Sequence, residues 1–189
     1  MNGSKTLVLL TVDTEASMAG LRPLPAEAMV YGRIDGETFG IERIMHCCEA
    51  RRMQATFFLS TLEALHYGDD HVRAMAATAQ ARGHDAQLHV HPVWMADSDG
   101  RKALTQYDAA GQRAAIELGA DIFRRTCDAT LVAHRAGGLW ANADTFAALE
   151  ALGIPVDSSL ARGYHGIDVA NVPRRRGATV ELPVTVFAQ

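Results

Sequence analysis

Cysteine, a surplus of basic residues and long hydrophobic runs are scarce or missing in this sequence. The formal net charge is -4 at pH 7, which leaves no basic footprint for nucleic acid. No apolar run approaches the length of a membrane span, and the run after Thr6 is too short for a signal-peptide core. The sequence therefore predicts neither a nucleic-acid partner nor a membrane span.

The three cysteines do not form a disulfide framework. Their number is odd, and the adjacent residues Cys47 and Cys48 cannot easily bridge to each other, while Cys127 stands alone. Such cysteine usage fits a reducing compartment, and we expect a cytoplasmic location. The 189 residues, 48% of them apolar, are enough for one domain with a substantial core. We therefore expect one domain over residues 1–189.

Short apolar runs and amphipathic segments alternate along the chain. Apolar runs predict buried strands, and apolar residues at helical spacing predict helices. The predicted strands are residues 5–11, 55–59, 86–90, 129–133, 154–156 and 180–182, and the predicted helices are residues 41–48, 72–79, 107–125 and 142–152. This order predicts an α/β fold, with a parallel sheet and helices packed outside it.

Two segments fall outside this alternation. Residues 16–37, which include Gly20 and Gly36, predict a long loop of the kind that is often functional. Residues 174–176 are three consecutive arginines, for which a solvated loop is favoured over a phosphate site.

Polar residues with catalytic potential follow four of the predicted strands. They are Asp13 and Glu15 after the first, His89 and His91 after the third, His134 and Arg135 after the fourth, and Asp157 and Ser158 after the fifth. The carboxyl ends of parallel strands form the edge where ligands bind in α/β folds. The sequence therefore predicts an active site at this edge.

The spacing within two of these pairs favours a metal site. Residues two apart in an extended chain share a face, so Asp13 with Glu15, and His89 with His91, each aim at one point. Two imidazoles with a carboxylate are usual ligands of zinc and similar divalent ions. The alternatives to a metal site are that the His-x-His sequence occurs by chance and that the two carboxylates cap the turn that follows them. For Arg135, the alternative to a role in the active site is a purely structural ion pair.

The other histidines are predicted to lie away from this edge. His84 follows a glycine and is expected to form a hydrogen bond within a turn. His46, His66 and His71 fall on helical or loop segments and are expected at the surface.

The succession of motifs resembles that of the polysaccharide deacetylases, the NodB-homology or carbohydrate esterase family 4 proteins. Residues 10–15 (LTVDTE) look like the family's TFDDG motif, and residues 55–58 (ATFF) look like its next strand. Further similar segments are residues 83–89 (GHDAQLH), 135–138 (RAGG), 149–154 with 157–159, and 181–184. The resemblance implies a distorted (β/α) barrel of about six or seven parallel strands.

The resemblance also implies an activity, which is hydrolysis of an N-acetyl group on a carbohydrate or amino sugar with a bound divalent metal, Zn²⁺ being favoured. Asp13 matches the family's catalytic base. The family's second aspartate, a metal ligand, falls on Thr14, and Glu15 is the expected replacement. The alternative is that Asp13 itself binds the metal. Arg135 matches the arginine that orients the base.

The histidine ligands and the ending depart from the family pattern. His89 matches the first ligand histidine, but the second falls on Val93, so His91 is the expected replacement. The family's last motif, with a histidine as general acid, is absent. Either the sequence is a fragment without its closing segment or that ending has been lost, and His165 is a candidate stand-in for the acid.

Trp94 and Trp140 follow the second and third motifs, where either could stack on a sugar or pack in the core. Two other functions stay open at this point. The first is a metal-independent hydrolase of C–N or amide bonds on the same fold, favoured by the missing aspartate and histidine. The second is a non-catalytic carbohydrate-binding relative, favoured by the missing final histidine.

Overall fold

The computed structural model describes residues 7–16, 18–19, 22–23 and 25–185. Its strands are β1 (Leu10–Thr14), β2 (Met18–Ala19), β3 (Arg22–Pro23), β4 (Arg33–Ile34), β5 (Glu37–Thr38), β6 (Ala55–Ser60), β7 (Asp85–Val90), β8 (Ala133–Ala136), β9 (Val156–Asp157), β10 (Arg174–Arg176) and β11 (Thr179–Glu181). Its α-helices are α1 (Ala26–Met29), α2 (Ile41–Glu49), α3 (Ala64–Tyr67), α4 (Asp69–Gln80), α5 (Ala109–Thr126) and α6 (Ala143–Ala151).

Seven of these strands form one sheet in the order β1-β6-β7-β8-β9-β11-β10. Neighbouring strands are parallel from β1 to β11, and β10 alone is antiparallel. The α/β prediction and the predicted number of parallel strands are therefore confirmed. Within the described residues β1 and β10 are the two edges of the sheet and do not pair with each other.

The helices cover the sheet with apolar faces at the predicted spacing. In α4, the buried residues are Val72, Met75, Ala76 and Ala79, and this helix contacts β6 and β7. The helix predictions for α2, α4, α5 and α6 are confirmed. Helix α5 begins after Asp108, whose side chain accepts a hydrogen bond from the Gly111 backbone at 2.8 Å. This cap satisfies one of the amides that a helix start leaves without a partner.

The first strand prediction was displaced towards the N-terminus. The strand is β1, Leu10–Thr14, and residues 7–9 precede it without strand structure, while residues 5 and 6 lie outside the described residues. The run was also wrongly predicted to be buried, since Leu7 is 82% and Val8 73% exposed. The ladder to β6 begins only at the pair Leu10 and Ala55, and an edge strand has a neighbour on one side only.

The fourth strand was also predicted too early, because a side chain replaces the ladder there. Gln87 accepts hydrogen bonds from the backbone amides of Val132 and Ala133 at 2.9 and 2.8 Å, and its amide donates to the Thr130 carbonyl. Pairing of β8 with β7 is therefore confined to residues 134–136. His134 and Arg135 consequently lie inside β8 rather than after its end.

The last strands and the two irregular segments need smaller corrections. Strand β9 is Val156–Asp157 and places Asp157 inside the strand. Residues 16–37, where Gly20 lies outside the described residues, contain α1 and a short hairpin of β4 and β5 rather than a plain loop. The arginine run is not a loop either, because it forms β10 and pairs with β11 across Gly177, whose φ of 62° is the left-handed conformation of a tight turn.

A polar cluster lies buried between three neighbouring strands. His134, Asp157 and Glu181 occupy paired positions on β8, β9 and β11, and each is at most 1% exposed. The His134 Nδ1 atom lies 2.7 Å from an oxygen of Asp157, and the Ser159 hydroxyl donates to the same oxygen at 2.8 Å.

The two carboxyl groups of this cluster differ in how firmly each holds its proton. Burial and the neighbouring Asp157 carboxyl raise the pKa of Glu181 to about 10. Burial alone would raise the pKa of Asp157 as well, but hydrogen bonds from His134 and Glu181 outweigh burial and lower it. Glu181 is therefore the protonated member and Asp157 the ionised one.

We expect the proton on Glu181 to make the free energy of unfolding fall as the pH rises. Between the ordinary glutamate pKa of 4.5 and the folded value of about 10, the folded chain keeps a proton that the unfolded chain releases. The free energy of unfolding then falls with pH by at most about 1.4 kcal/mol per unit for this group. Glu181→Gln is nearly isosteric and has no titrating proton, so its slope is shallower.

Urea unfolding of both proteins across this pH window measures the two slopes. The exposed α5 residue Glu117 supplies the control Glu117→Gln, which is expected to keep the slope of the unsubstituted protein. Equal slopes for Glu181→Gln and the unsubstituted protein would contradict a raised pKa of Glu181.

Candidate active site

The site lies at the carboxyl ends of β1 and β7, the two strands that flank β6. The sheet register pairs Asp13 with Phe58 and Ser60 with His89, so Asp13 and His89 are on the same face of the sheet. Glu15 and His91 each follow two residues later, just beyond the strands, and continue that face.

The structure brings Glu15, His89 and His91 together, whereas Asp13 pairs with Arg135. The Glu15 carboxylate is 3.1 Å from His89 Nε2 and also contacts His91 Nε2. The two imidazole rings meet edge to face with centroids 4.7 Å apart. One potential ligand atom from each of the three residues lies within 4.8 Å of the others.

Hydrogen bonds fix the charge and orientation of this cluster. His89 Nδ1 donates to the Arg135 carbonyl at 2.9 Å, which leaves Nε2 directed at Glu15. Burial disfavours ionisation of Glu15, but hydrogen bonds from His89 and His91 outweigh it and hold the pKa of Glu15 well below its usual range. Burial likewise opposes a charge on His89, yet Glu15 and the nearby charge of Asp13 raise the pKa of His89 above 6.5.

Gly137 packs directly against the His91 ring. A Cβ atom at this position would lie 2.6 Å from His91 Cγ, closer than any real contact allows. The absence of a side chain at Gly137 therefore lets His91 reach Glu15. The sequence shows Gly137 only as part of the RAGG segment, and its contact with His91 was not predicted.

Arg135 binds Asp13, the pairing that the resemblance implies. Its Nη1 donates to Asp13 Oδ1 at 2.6 Å, while Nε and Nη2 donate to the Ser158 carbonyl and hydroxyl at 2.8 and 2.9 Å. Nη2 also donates to the Thr11 hydroxyl at 2.9 Å, and the guanidinium stacks 4.2 Å from the Phe58 ring centroid. Asp13 is thus held in one orientation by a buried cation.

A cavity of about 320 Å³ opens onto this cluster. Its walls include Glu15, His91, Trp94, Lys102, Gly137 and Trp140. Both tryptophans singled out in the sequence therefore border the cavity, and Trp140 is 40% exposed. Trp94 also contacts the rings of His66 and Tyr67.

His165, the sequence-based candidate for the general acid, lies behind Trp140. Its ring stacks on Trp140 at a centroid distance of 3.3 Å, and its Nε2 donates to the Gly138 carbonyl at 2.8 Å. His165 thus contacts two residues that border the cavity, Trp140 and Gly138, but is not itself among the residues that line it.

The prediction that His71 is a surface residue was wrong. Its side chain is 8% exposed and lies 2.8 Å from the fully buried carboxylate of Glu63. The other oxygen of Glu63 accepts the backbone amide of Ala16 at 2.7 Å, so Glu63 fixes the chain next to Glu15. No local pattern reveals Glu63, because this contact joins residues 47 positions apart.

The remaining histidines lie away from the cluster of Glu15, His89 and His91. His84 is buried, and its backbone amide donates to the Ala79 carbonyl at 3.1 Å in the turn after α4, as expected, while its ring also accepts the Ala55 backbone amide at 3.1 Å. His46 and His66 are exposed, as predicted. His134 was expected at the edge and instead lies in the buried cluster with Asp157.

Comparisons with known proteins support the fold through structure alone. No protein-family model and no curated protein matches the sequence. A protein from Mycobacterium smegmatis assigned as a polysaccharide deacetylase superposes with a TM-score of 0.64 at 20% identity, over 93% of this chain and 57% of that one. This chain therefore spans less than two thirds of the length of that structure.

Two further structures agree. The Streptococcus pyogenes deacetylase PplD, solved with acetate, gives a TM-score of 0.56 at 12% identity over 97% of this chain and 66% of its own. The deacetylase domain of BpsB from Bordetella bronchiseptica gives 0.53 at 13% identity over 94% and 70%. The chain thus has the fold of the polysaccharide deacetylases, and the fold implied by the resemblance is confirmed.

No helix within the described residues combines the length and the hydropathy that a membrane crossing requires.

Proposed function

We propose that this chain is a metal-dependent hydrolase that removes an N-acetyl or related N-acyl group from a carbohydrate or amino sugar. The observation that carries the proposal is the placement of Glu15, His89 and His91 beside the Asp13–Arg135 pair, at the edge of one cavity. The fold of the polysaccharide deacetylases supports the same class of reaction. Fold alone does not define an activity, so the argument depends on the site.

The chemistry of the cluster fits a divalent metal ion. Two imidazoles and one carboxylate are a common protein ligand set of catalytic zinc, which leaves further positions for substrate and water. The hydrogen bond from His89 Nδ1 to the Arg135 carbonyl is the outer support that orients a ligand histidine. A divalent ion held there would supply Lewis-acid polarisation of the acyl carbonyl.

The other residues of the site have separate proposed roles in the reaction. Asp13 is proposed as the general base that takes a proton from the attacking water. Arg135 binds Oδ1 of Asp13 and leaves the second carboxylate oxygen as the proton acceptor. Trp94 and Trp140 offer ring faces on which a sugar can stack, and about 320 Å³ lies within the usual range of small-molecule sites.

Acetate release tests the proposal and separates it from its two alternatives. The full chain is depleted with a chelator, reconstituted with Zn²⁺, and incubated with N-acetylglucosamine and its oligomers. We expect acetate only after reconstitution. Equal acetate release from the depleted protein would favour the metal-independent hydrolase, and sugar binding without acetate would favour the binding protein.

Two expectations from the sequence, the cytoplasmic location and the single domain, remain predictions. All three cysteines are free thiols, and only Cys47 is exposed, but the cytoplasmic location rests on the cysteine usage of the sequence. The single domain over residues 1–189 likewise rests on the length and composition of the chain, and its catalytic character rests on the resemblance to the polysaccharide deacetylases.

A further inference from the structure

Lys102 is a wall residue of the cavity that the proposed chemistry does not use. It lies in the segment between β7 and α5 and borders the same cavity as His91 and Trp94. It is one of two lysines in the chain, whose other sixteen permanent cations are arginines. A lysine ammonium is a compact charge that binds anions of varied geometry.

The ionisable groups around Lys102 already have partners. Asp13 pairs with Arg135, and Glu15 pairs with both cluster histidines. The neighbouring Arg101 donates to the backbone carbonyls of residues 97 and 98 and lies 3.7 Å from Asp99. No carboxylate in the described part of the chain forms an ion pair with Lys102, so its charge is available to a ligand.

The backbone at Lys102 is anchored, which sets this residue apart from a lysine on a loose loop. The amides of Lys102 and Ala103 both donate to the Gln106 side chain, at 2.8 and 2.9 Å. The next residue, Leu104, is completely buried in the core. The Lys102 side chain therefore begins from a fixed point at the cavity rim.

We propose that the acylated substrate carries an anionic group, a carboxylate or a phosphate, that is bound by the Lys102 ammonium at the cavity wall. The inference rests on the proposed function and narrows its substrate class to acidic N-acylated amino sugars. Glu15 is the one carboxylate among the residues that border the cavity, and a bound divalent cation would more than balance its charge. An anionic substituent then meets a net positive surface.

Three sugars test this proposal on the zinc-reconstituted full chain. N-acetylmuramic acid adds a carboxylate to N-acetylglucosamine, and N-acetylglucosamine 6-phosphate adds a phosphate. We expect kcat/KM for one of the acidic sugars to exceed that of the neutral sugar by about tenfold, the effect of one charge-assisted contact. The sugar that shows the gain identifies the anion.

Variants of Lys102 test whether this residue causes the preference for acidic over neutral sugars. Lys102→Met is expected to lose the tenfold preference for the acidic sugar, and Lys102→Arg is expected to keep most of it. Arg113→Met removes an exposed cation of α5 and serves as the matched control. An equal loss for acidic and neutral sugars in Lys102→Met, or a preference of the unsubstituted protein for the neutral sugar, would overturn the proposal.

Equilibrium binding separates this proposal from the proposed function. If no sugar yields acetate, the hydrolase proposal fails, and the Kd values of the three sugars for the unsubstituted protein and for Lys102→Met still decide the role of Lys102. Tighter binding of an acidic sugar, lost in Lys102→Met, supports anion recognition. Equal Kd values for acidic and neutral sugars contradict it.

Discussion

Asp13→Asn is expected to lower kcat by about 100- to 10,000-fold, the usual contribution of a general base, while metal binding stays intact. Asparagine has nearly the same shape, and its oxygen can still accept the hydrogen bond that Arg135 gives to Oδ1. The amide nitrogen, however, cannot take a proton from water. The loss should therefore appear in the chemical step rather than in the fold.

Acetate release and metal content, measured on the same preparation of Asp13→Asn, check this prediction. Asp168→Asn changes an exposed aspartate outside the site and is the matched control, expected to retain full activity. Thermal unfolding of both variants verifies that the buried Arg135 still has a partner. Loss of the metal in Asp13→Asn would contradict the base assignment and support the alternative in which Asp13 is a ligand.

Gly137→Ala is expected to weaken metal binding by about 10- to 100-fold, the effect of disturbing the support of a ligand histidine. The added methyl group overlaps the His91 ring, so the ring must rotate or shift away from Glu15. His89 keeps its hydrogen bond to the Arg135 carbonyl. The site should therefore lose one ligand rather than collapse.

A double-mutant cycle shows whether Gly137 acts through His91. Metal affinity is measured for Gly137→Ala, for His91→Ala and for the double variant. If the methyl group acts only by displacing His91, the double variant binds metal no more weakly than His91→Ala alone, because the two changes share one interaction. Additive losses would show that Gly137 affects the site by another route.

The sequence predicted the centre of the fold better than its edges. The ATFF run of β6 and the helical spacing of α4 are local patterns, and both elements form where those patterns lie. Strand β1 was displaced because its position depends on the ladder to β6, which begins at Leu10. Strand β8 was displaced because Gln87 bonds the chain before it, a contact between distant residues.

The site shows the same difference between local patterns, which the sequence reveals, and contacts between distant residues, which it does not. The sequence could suggest that Glu15, His89 and His91 lie close together, because alternation along a strand and adjacency of strand ends are regular features. Glu63 and the contact between Gly137 and His91 were missed because they depend on packing between segments far apart in the sequence. His134 and Asp157 were predicted at the active edge because they follow predicted strands, but both lie inside β8 and β9, where the register directs them into the buried cluster with Glu181.

Metal content after chelation and reconstitution tests the central claim most directly. The unsubstituted chain, His89→Ala and the control His46→Ala, which changes an exposed histidine of α2, are each loaded with Zn²⁺, dialysed and analysed. We predict about one ion per chain in the unsubstituted protein and in His46→Ala, and none in His89→Ala. No retained metal in the unsubstituted protein, or equal retention in His89→Ala, would contradict the metal site formed by Glu15, His89 and His91.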